Sequence, residues 1–558
     1  MSQTSESKVP DGRGTNAYHA DPAFAALLSR YLPGPLHRIL EPRLARMGGL
    51  VGDRHEQLAL TADKNPAYKE LVRYAFGEFG LAAMSHRGGV FGAPDTLHPM
   101  AKYALVYLFV QAEFGLCYPL SMTDSLTRTL RKFGSDDLVS RYLDRLTSQD
   151  MDSLYQGAMF VIEQTAGSDV GAVETVARQQ DGGWKIYGDK WFCSNPDAAL
   201  AMVLARPEDG ENGARGLSLF LLPRQLPDGR LNDYRIIRLK DKMGTRSMAS
   251  GEIVLEGAEA YLVGEPGKGF KQMTDMINMS RLANGVRSAG LMRRSVAEAL
   301  HISRHRRAFG KPLMDMPLMR RQLAKMLLAS EQARSMVFHT AHVLDGADRG
   351  DAAKASVLRI LTPLVKFRAC RDARKVAGDA MEVRGGCGYI EEWSDARVLR
   401  DAHLGSIWEG TSNIVALDVI RAARREGAFD AIDAYLRDCL SEVDAPLAER
   451  LGAAVDRVAV LLRTTSGQDG PAELSETRRA ASSVYNIASA VFLAWEGARL
   501  AGSHLSVAAD RQRLADLMLS EKLGLCDPLA PAEPEPDWLP GLMLRAGHDA
   551  GVSRVAAE

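Results

Sequence analysis

Apolar residues recur three and four apart between about Asp21 and Gln156, in stretches such as LVRYAFGEFGLAAMSH and HPMAKYALVYLFVQAEF. That spacing puts them on one face of a helix, so this part of the chain is expected to be mainly helical. The texture changes near Gln156. GAMFVIEQ, WKIYGDKWFCSN, LAMVLARP, GLSLFLLPR, YRIIRLKDK and GEIVLEGA are short and rich in β-formers, with Gly, Pro, Asp and Asn between them. Such a series predicts a compact β-sandwich or barrel. Helical spacing returns after Gly267. It predicts long helices over residues 270–303, 318–344 and 352–384 and a further one after Thr411, together an antiparallel bundle. Beyond Gly427, DAIDAYLRDCLSEV and AASSVYNIASAVFLAWEGARLA keep the helical period. SGQDGPAE reads as a loop among them, and the prolines of PLAPAEPEPDW break the last helix into an extended or mobile segment.

The expected fold class is therefore α+β and mainly α. A flexible tail (1–16) leads into an N-terminal helical domain (17–156), a middle β-domain (157–265), a helical bundle (266–426) and an extra C-terminal helical module (427–558). The 558 residues suffice for several domain-sized units. A net charge of −1 gives no global reason to expect nucleic acid or an anionic membrane as partner. The opening MSQTSESKVPDGRG has no apolar centre, so no secretory signal is expected. The longest apolar run, 103–110, is too short to span a bilayer. Cys117, Cys193, Cys370, Cys387, Cys439 and Cys526 form no C-x-x-C pair, which favours reduced thiols in a cytoplasmic protein over a zinc site or a disulfide framework.

Four segments carry candidate chemistry. In SIWEGTSN, Gly410 permits a tight turn beside Glu409, and Thr411, Ser412 and Asn413 can cap a following helix. Flanking Ile407 and Trp408 would partly desolvate the Glu409 carboxylate and make it a better base. A plain helix-dipole role for the same carboxylate is the alternative. In FVIEQTAGSDV a strand ends in Gly167-Ser168-Asp169, whose amides suit a cofactor edge or a phosphate and equally a simple β-turn. In GDKWFCSN the aromatics beside Cys193 and Ser194 suit a flat ring and equally a half-buried strand. In RHRRAFG, Arg304, Arg306 and Arg307 suit a diphosphate, a nucleic acid or a solvated helix end.

Together and in this order, these segments resemble the acyl-CoA dehydrogenase superfamily over roughly residues 66–425. The resemblance implies a helical domain, a β-domain and a four-helix bundle, FAD as cofactor, and assembly as a homotetramer or homodimer. It implies an acyl-CoA or related acyl thioester as substrate and a separate electron-transfer acceptor. Glu409, in the motif Trp408-Glu409-Gly410-Thr411, would take the α-proton while the β-hydrogen leaves as hydride to flavin N5. FAD contacts carry over onto Val161, Ile162, Ser168, Phe192, Cys193, Ser194, Trp408, Thr411 and Asn413. Arg306, Phe309, Glu382, Gly385 and Gly386 would reach the FAD of a neighbouring subunit, and Ser168 and Arg281 would lie by the substrate.

The departures from the family pattern are specific. Ile162 stands where the family usually has Thr, Glu382 where it has Gln, and Asn278 where it often has Asp; the usual Gln after Phe-Gly is replaced around Met316-Pro317. With the long N-terminal helical region and the extra C-terminal module, they are similar to the branch of the alkylation-response protein AidB. In that branch FAD is bound, dehydrogenase activity is weak or unassigned, and the C-terminal module is implicated in DNA binding. Here residues 427–558 carry 12 Lys and Arg against 20 Asp and Glu, a formal −8. That is the wrong sign for neutralising phosphates. A local stripe of Arg457, Arg463, Arg478, Arg479, Arg511 and Arg513 is the remaining route to DNA. The expected function is thus an FAD-dependent acyl-CoA dehydrogenase-like oxidoreductase. The alternative is a flavoprotein that binds or protects DNA with vestigial catalysis.

Overall fold

In chain order the N-terminal helices are α1 (Pro22–Tyr31), α2 (Gly34–Arg54), α3 (Pro66–Val72), α4 (Pro99–Phe109), α5 (Cys117–Phe133) and α6 (Asp136–Leu146). The strands follow: β1 (Gly157–Phe160), β2 (Val176–Gln180), β3 (Gly183–Ser194), β4 (Leu200–Pro207), β5 (Ser218–Pro223), β6 (Tyr234–Leu239) and β7 (Ser250–Val263). Next come α7 (Gly269–His305), the hairpin β8 (Arg307–Ala308) and β9 (Lys311–Pro312), α8 (Pro317–Asp348), α9 (Ala352–Arg384), α10 (Asp395–Gly405) and α11 (Ser412–Arg425). The chain continues through α12 (Ala428–Leu440), α13 (Ala445–Ser466), α14 (Pro471–Leu500), α15 (Leu505–Met518) and α16 (Leu539–Ala546). This computed structural model describes residues 12, 14–54, 66–466, 471–524 and 535–547. Most of the expected tail, the centre of the SGQDGPAE loop and much of the proline-rich segment lie outside the described residues.

The chain divides into two compact units. One holds α3, α5, α6 and the seven-stranded β-region. Its strands pair in the order β1-β4-β2-β3-β7-β5, and β4 also pairs with β5, so the sheet closes on itself as a barrel, with β6 added along β7. Alternation along the strands sends Phe160, Ile186, Val203, Phe220, Leu222, Ile253 and Leu255 into one core. Lys190 is fully buried in this region. Its ammonium donates to Glu163 Oε1 at 2.6 Å and to the Leu204 carbonyl at 2.9 Å. Glu163 also accepts from the Glu174 amide at 2.7 Å and from the Thr175 hydroxyl at 2.5 Å. One buried ion pair therefore ties both ends of the 163–175 loop to β3 and β4.

The other unit gathers α1, α2, α4 and the chain from Asn284 onward, so the helices after Gly427 share a unit with the bundle. A buried polar network joins them. Asp21 accepts from the Phe24 amide at 3.0 Å as the cap of α1, and Arg334 of α8 grips both its oxygens at 2.9 and 2.7 Å. Tyr31 donates to Glu496 of α14 at 2.8 Å, and Ser335 of α8 donates to the same carboxylate at 2.7 Å. His339 lies between the hydroxyls of Tyr31 (3.2 Å) and Tyr435 (2.8 Å) and stacks on Phe492 at 3.7 Å. Burial holds its imidazole well below the ordinary value of 6.5.

Several sequence expectations are corrected. The stretch LAAMSH, expected to be helical, is a series of turns, and a π-helical turn at Arg73–Glu78 ends the helix before it. Helix α4 stops at Phe109 rather than running on to Phe114. The β2 strand VARQQ, half polar and mostly solvated, was not anticipated, nor were α10 and the β8–β9 hairpin. Of the six arginines of the proposed basic stripe, one is withdrawn from the surface and three others have partners of their own. Arg511 is buried and bridges Glu331 at 2.8 Å and Glu496 at 3.4 Å. Arg479 pairs with Glu476, Arg513 with Asp510, and Arg463 lies over the Phe429 ring.

Candidate active site

The Glu409 turn is built by two helices and strained backbone. Helix α10 ends at Gly405, and Ile407 and Trp408 still donate their amides to the Leu404 carbonyl, at 2.9 and 3.3 Å. The chain must then reverse into α11. It does so with Glu409 at φ 56° and Gly410 at φ 102°. Glycine adopts positive φ freely, but glutamate there costs about 1–2 kcal/mol. A non-glycine residue held in that region marks a site where its side-chain direction matters.

Two buried cations brace the turn. Arg287 of α7 is fully buried, with its guanidinium 4.8 Å from the centre of the Trp408 ring. Lys366 of α9, also buried, donates to the Gly410 carbonyl. Cys370 lies one helical turn beyond Lys366 and accepts from the Ser288 hydroxyl at 3.2 Å. Burial pushes its thiol up; Lys366 and Arg287 oppose the rise, and the Glu409 carboxylate adds to it. The same thiol thus feels both cations and the carboxylate. Sequence reading expected Ile407 and Trp408 to shield Glu409 with apolar surface. One Glu409 carboxylate oxygen is shielded from solvent; Ile407, 58% exposed, contributes little to that, Trp408 is half-buried, and Arg287 and Lys366 hold the residues on either side. Arg287 and Lys366 were missed because each sits within a long helix with no local motif.

Thr411 takes the cap position of α11 but its side chain makes no capping bond, contrary to expectation. Asn413 accepts from Arg478 of α14 at 3.4 Å. The arginines of RHRRAFG are each tied to carbonyls of this chain. Arg304 donates to Met543 and Leu544 at 2.8 and 2.7 Å, at the end of α16, and Arg307 to Gly310 at 2.7 Å. Arg306 donates to the Arg384 carbonyl at 2.7 Å, which brings it against the Gly385-Gly386 turn. A methyl carbon on Gly385, whose φ is 74°, would sit 3.3 Å from that guanidinium. Beneath the turn, Arg384 is buried between Glu298 and Asp395, each at 2.6 Å. Glu382 is exposed and accepts from Gln322 at 3.5 Å. Phe309 stands at the tip of the β8–β9 hairpin, 97% exposed, at φ 51°. Phenylalanine is an unusual choice there, since such two-residue turns favour Asn-Gly or Asp-Gly.

In the β-containing unit, a register shift in the β3–β7 pairing leaves Trp191 and Phe192 in a bulge. The Trp191 amide donates to the Ile162 carbonyl at 2.8 Å, joining two of the sequence motifs. The bulge turns Phe192 outward, 53% exposed, with the Lys240 ammonium 5.1 Å from its ring centre and 3.2 Å from that of Trp191. Val161 is buried, Ser168 is exposed on its loop, and Ser194 is buried with its hydroxyl 3.0 Å from that of Ser250. The Cys193 side chain points into the barrel core, so only its backbone is available to a ligand. Arg281 of α7 donates to Asn278 at 3.3 Å, where the family pattern has an acid. Among the described residues, no group of three His, Cys, Asp or Glu could hold a metal, and no helix is long and apolar enough to cross a membrane.

Three family profiles cover successive parts of the chain. They are the AidB adaptive response protein N-terminal domain at residues 61–153, the acyl-CoA dehydrogenase middle domain at 158–258 and the acyl-CoA dehydrogenase C-terminal domain at 267–424. "Acyl-CoA dehydrogenase family member 11" of Caenorhabditis elegans is 31% identical over 73% of this chain and 70% of its own length. "Putative acyl-CoA dehydrogenase AidB" of Escherichia coli is 36% identical over 60% of this chain and 62% of its own. The crystal structure of the Caenorhabditis elegans protein in complex with C11-CoA superposes with a TM-score of 0.84 at 27% identity, over 94% of both chains.

Proposed function

This chain belongs to the acyl-CoA dehydrogenase family, and we propose that it is an FAD-dependent oxidoreductase of acyl-CoA thioesters in which Glu409 removes the α-proton. The observation that carries the role of Glu409 is its backbone. Glu409 held at φ 56°, with Trp408 under Arg287 and Gly410 bound by Lys366, has the direction in which its side chain leaves the backbone set before any substrate arrives. Fixed direction is what proton removal from a weakly acidic carbon requires.

The residues fit a flavin. Phe192 offers an exposed aromatic face on a bulge, the Ile162 and Cys193 backbone lies beside it, and the Ser168 loop is pinned by Glu163. Phe309, Arg306 and the Gly385-Gly386 turn form a strained, exposed edge suited to the cofactor of a second copy of the chain. When bound, FAD supplies the acceptor for the hydride that leaves the β-carbon. Glu409 takes the α-proton onto a carboxylate oxygen, and the substrate gains the double bond. The reoxidant is a separate electron-transfer protein. An acyl chain matching that of C11-CoA, named in the relative's complex, is the first substrate to try.

The DNA-binding alternative is less favoured, because residues 427–558 carry a formal −8 and Arg511 is consumed by Glu331 and Glu496. The test is anaerobic titration of the purified flavoprotein with a panel of acyl-CoAs. The expected result is loss of flavin absorbance with at least one thioester. Glu409→Gln should keep the flavin and abolish that loss. Bleaching that survives unchanged in the variant removes Glu409 as the base.

A further inference from the structure

Gly405, at the end of α10, sits in a close seat made by α7 and α9. A methyl carbon there would lie 3.3 Å from Ser288 Oγ, 3.4 Å from Cys370 Cβ and 3.5 Å from Cys370 Sγ. Helix α7 comes as near to α9 at Gly285, where a methyl carbon would lie 2.1 Å from Val365. Asn284 completes the seat. Its side-chain amide donates to the Gly405 carbonyl at 3.1 Å. Ser288, one helical turn further along the same face, donates to Cys370 at 3.2 Å, and the Cys370 thiol faces the Asn284 carbonyl at 3.8 Å. Asn284, Ser288 and Cys370 are all fully buried.

Asn284 is an uneconomical choice for packing alone. Its Oδ1 is shielded from solvent and meets no donor among the described residues. A buried acceptor without a donor destabilises a fold, whereas a leucine, with the same branching, would carry no such cost. What the amide supplies is its bond to Gly405. That carbonyl lies just before Glu409, where Leu404 takes the Ile407 and Trp408 amides and the chain leaves α10 to reverse. We infer that Asn284 is a positioning residue for the base: by holding the Gly405 carbonyl, it sets where α10 releases the chain into the Glu409 turn. Arg287 and Lys366 hold the residues on either side of Glu409, and Asn284 holds the origin of the turn. The inference rests on the proposed role of Glu409 and adds a residue outside the four motifs.

The test compares full-length wild type with Asn284→Leu, which removes the amide, and with Gly405→Ala. The second variant pushes the end of α10 off its seat and leaves the amide in place. Two readouts are taken: hydrogen exchange across residues 404–411, and steady-state kinetics with the acyl-CoA that bleaches the flavin best. In each variant the Ile407 and Trp408 amides should exchange faster while α9 exchanges as in wild type. Each should also lower kcat about tenfold and leave KM within about twofold. The Tm of Asn284→Leu should match or exceed that of wild type, since the orphaned acceptor is gone. That combination separates positioning from support, because a merely structural asparagine would lower Tm and leave kcat unchanged. Unchanged exchange at 404–411 in both variants overturns the inference. So does faster exchange with wild-type kcat, and so does a loss of protection spread through the whole bundle. If no thioester bleaches the wild-type flavin, yet exchange at 404–411 rises in both variants, Asn284 still holds the turn and it is the dehydrogenase reading that falls.

Discussion

Replacing Lys190 with methionine asks how much the 163–175 loop owes to one buried ion pair. The Lys190 side chain is fully buried and that of Glu163 is 7% exposed, so neither charge can turn to water. Removing one partner of such a pair costs about 3–5 kcal/mol, because the other charge stays buried without compensation. Glu163 would keep the Glu174 amide and the Thr175 hydroxyl, which puts Lys190→Met near the lower end, about 3 kcal/mol. For a unit of this size that is on the order of 6–12 °C in Tm. Glu163→Gln strands the ammonium on the Leu204 carbonyl and should cost a similar amount. The double variant Glu163→Gln/Lys190→Met leaves no buried charge, so it should be less destabilised than the two single losses added, by more than about 1 kcal/mol. Trp184 and Trp191 on β3 report the unfolding by fluorescence. Because Glu163 anchors the loop bearing Ser168, flavin retention should fall in both single variants and partly recover in the double. Single losses under about 1 kcal/mol that simply add would refute the reasoning. The pair also sets an acid limit. Burial alone would raise the Glu163 carboxyl, but Lys190, Thr175 and the Glu174 amide together bring it below its ordinary 4.5. Its stabilisation is therefore intact above pH 4.5 and is lost as the pH falls through the folded value.

The buried imidazole of His339 acts in a higher pH window. Its folded value lies well below the unfolded 6.5, so the stability it carries is complete above pH 6.5 and declines as pH falls, by at most about 1.4 kcal/mol per pH unit. Thermal unfolding followed from pH 7.5 to 5 should show that slope, and His339→Gln should flatten it; equal slopes would place the titrating group elsewhere. Arg287→Met should remove the cation over Trp408, costing about 2 kcal/mol, and should lower kcat more than it raises KM, because the Glu409 turn loosens. A variant with wild-type kcat would show that the turn holds without that brace.

What could be read from the sequence was whatever repeats locally. The strand expected from LAMVLARP is β4, and the helix expected at 352–384 is α9 to the residue, because Asp351 caps one end and Gly385 stops the other. Strand β2 was overlooked because VARQQ buries little beyond Ala177, and a strand without an apolar face has no period to detect. Length was misjudged at β7, where GEIVLEGA continues through Gly257, at φ 94°, to Val263. The bulge there absorbs the irregular step that looked like a strand end.

The chemistry divides in the same way, and the division explains why Glu409 could be named while its surroundings could not. The motif Trp408-Glu409-Gly410-Thr411 is contiguous, so order along the chain preserves it. Arg287 and Lys366 reach that turn from two different helices, across sequence separations that no spacing rule covers. Their effect is physical all the same. An apolar surround would leave the carboxylate's orientation to packing alone, whereas two buried cations fix the indole and the carbonyl on either side of it. The protein can hold a glutamate at φ 56° because neither neighbour of that residue is able to relax. Exposed Ile407 adds nothing to that constraint, so the backbone at Glu409 is held by charges set in α7 and α9 rather than by the segment that carries it.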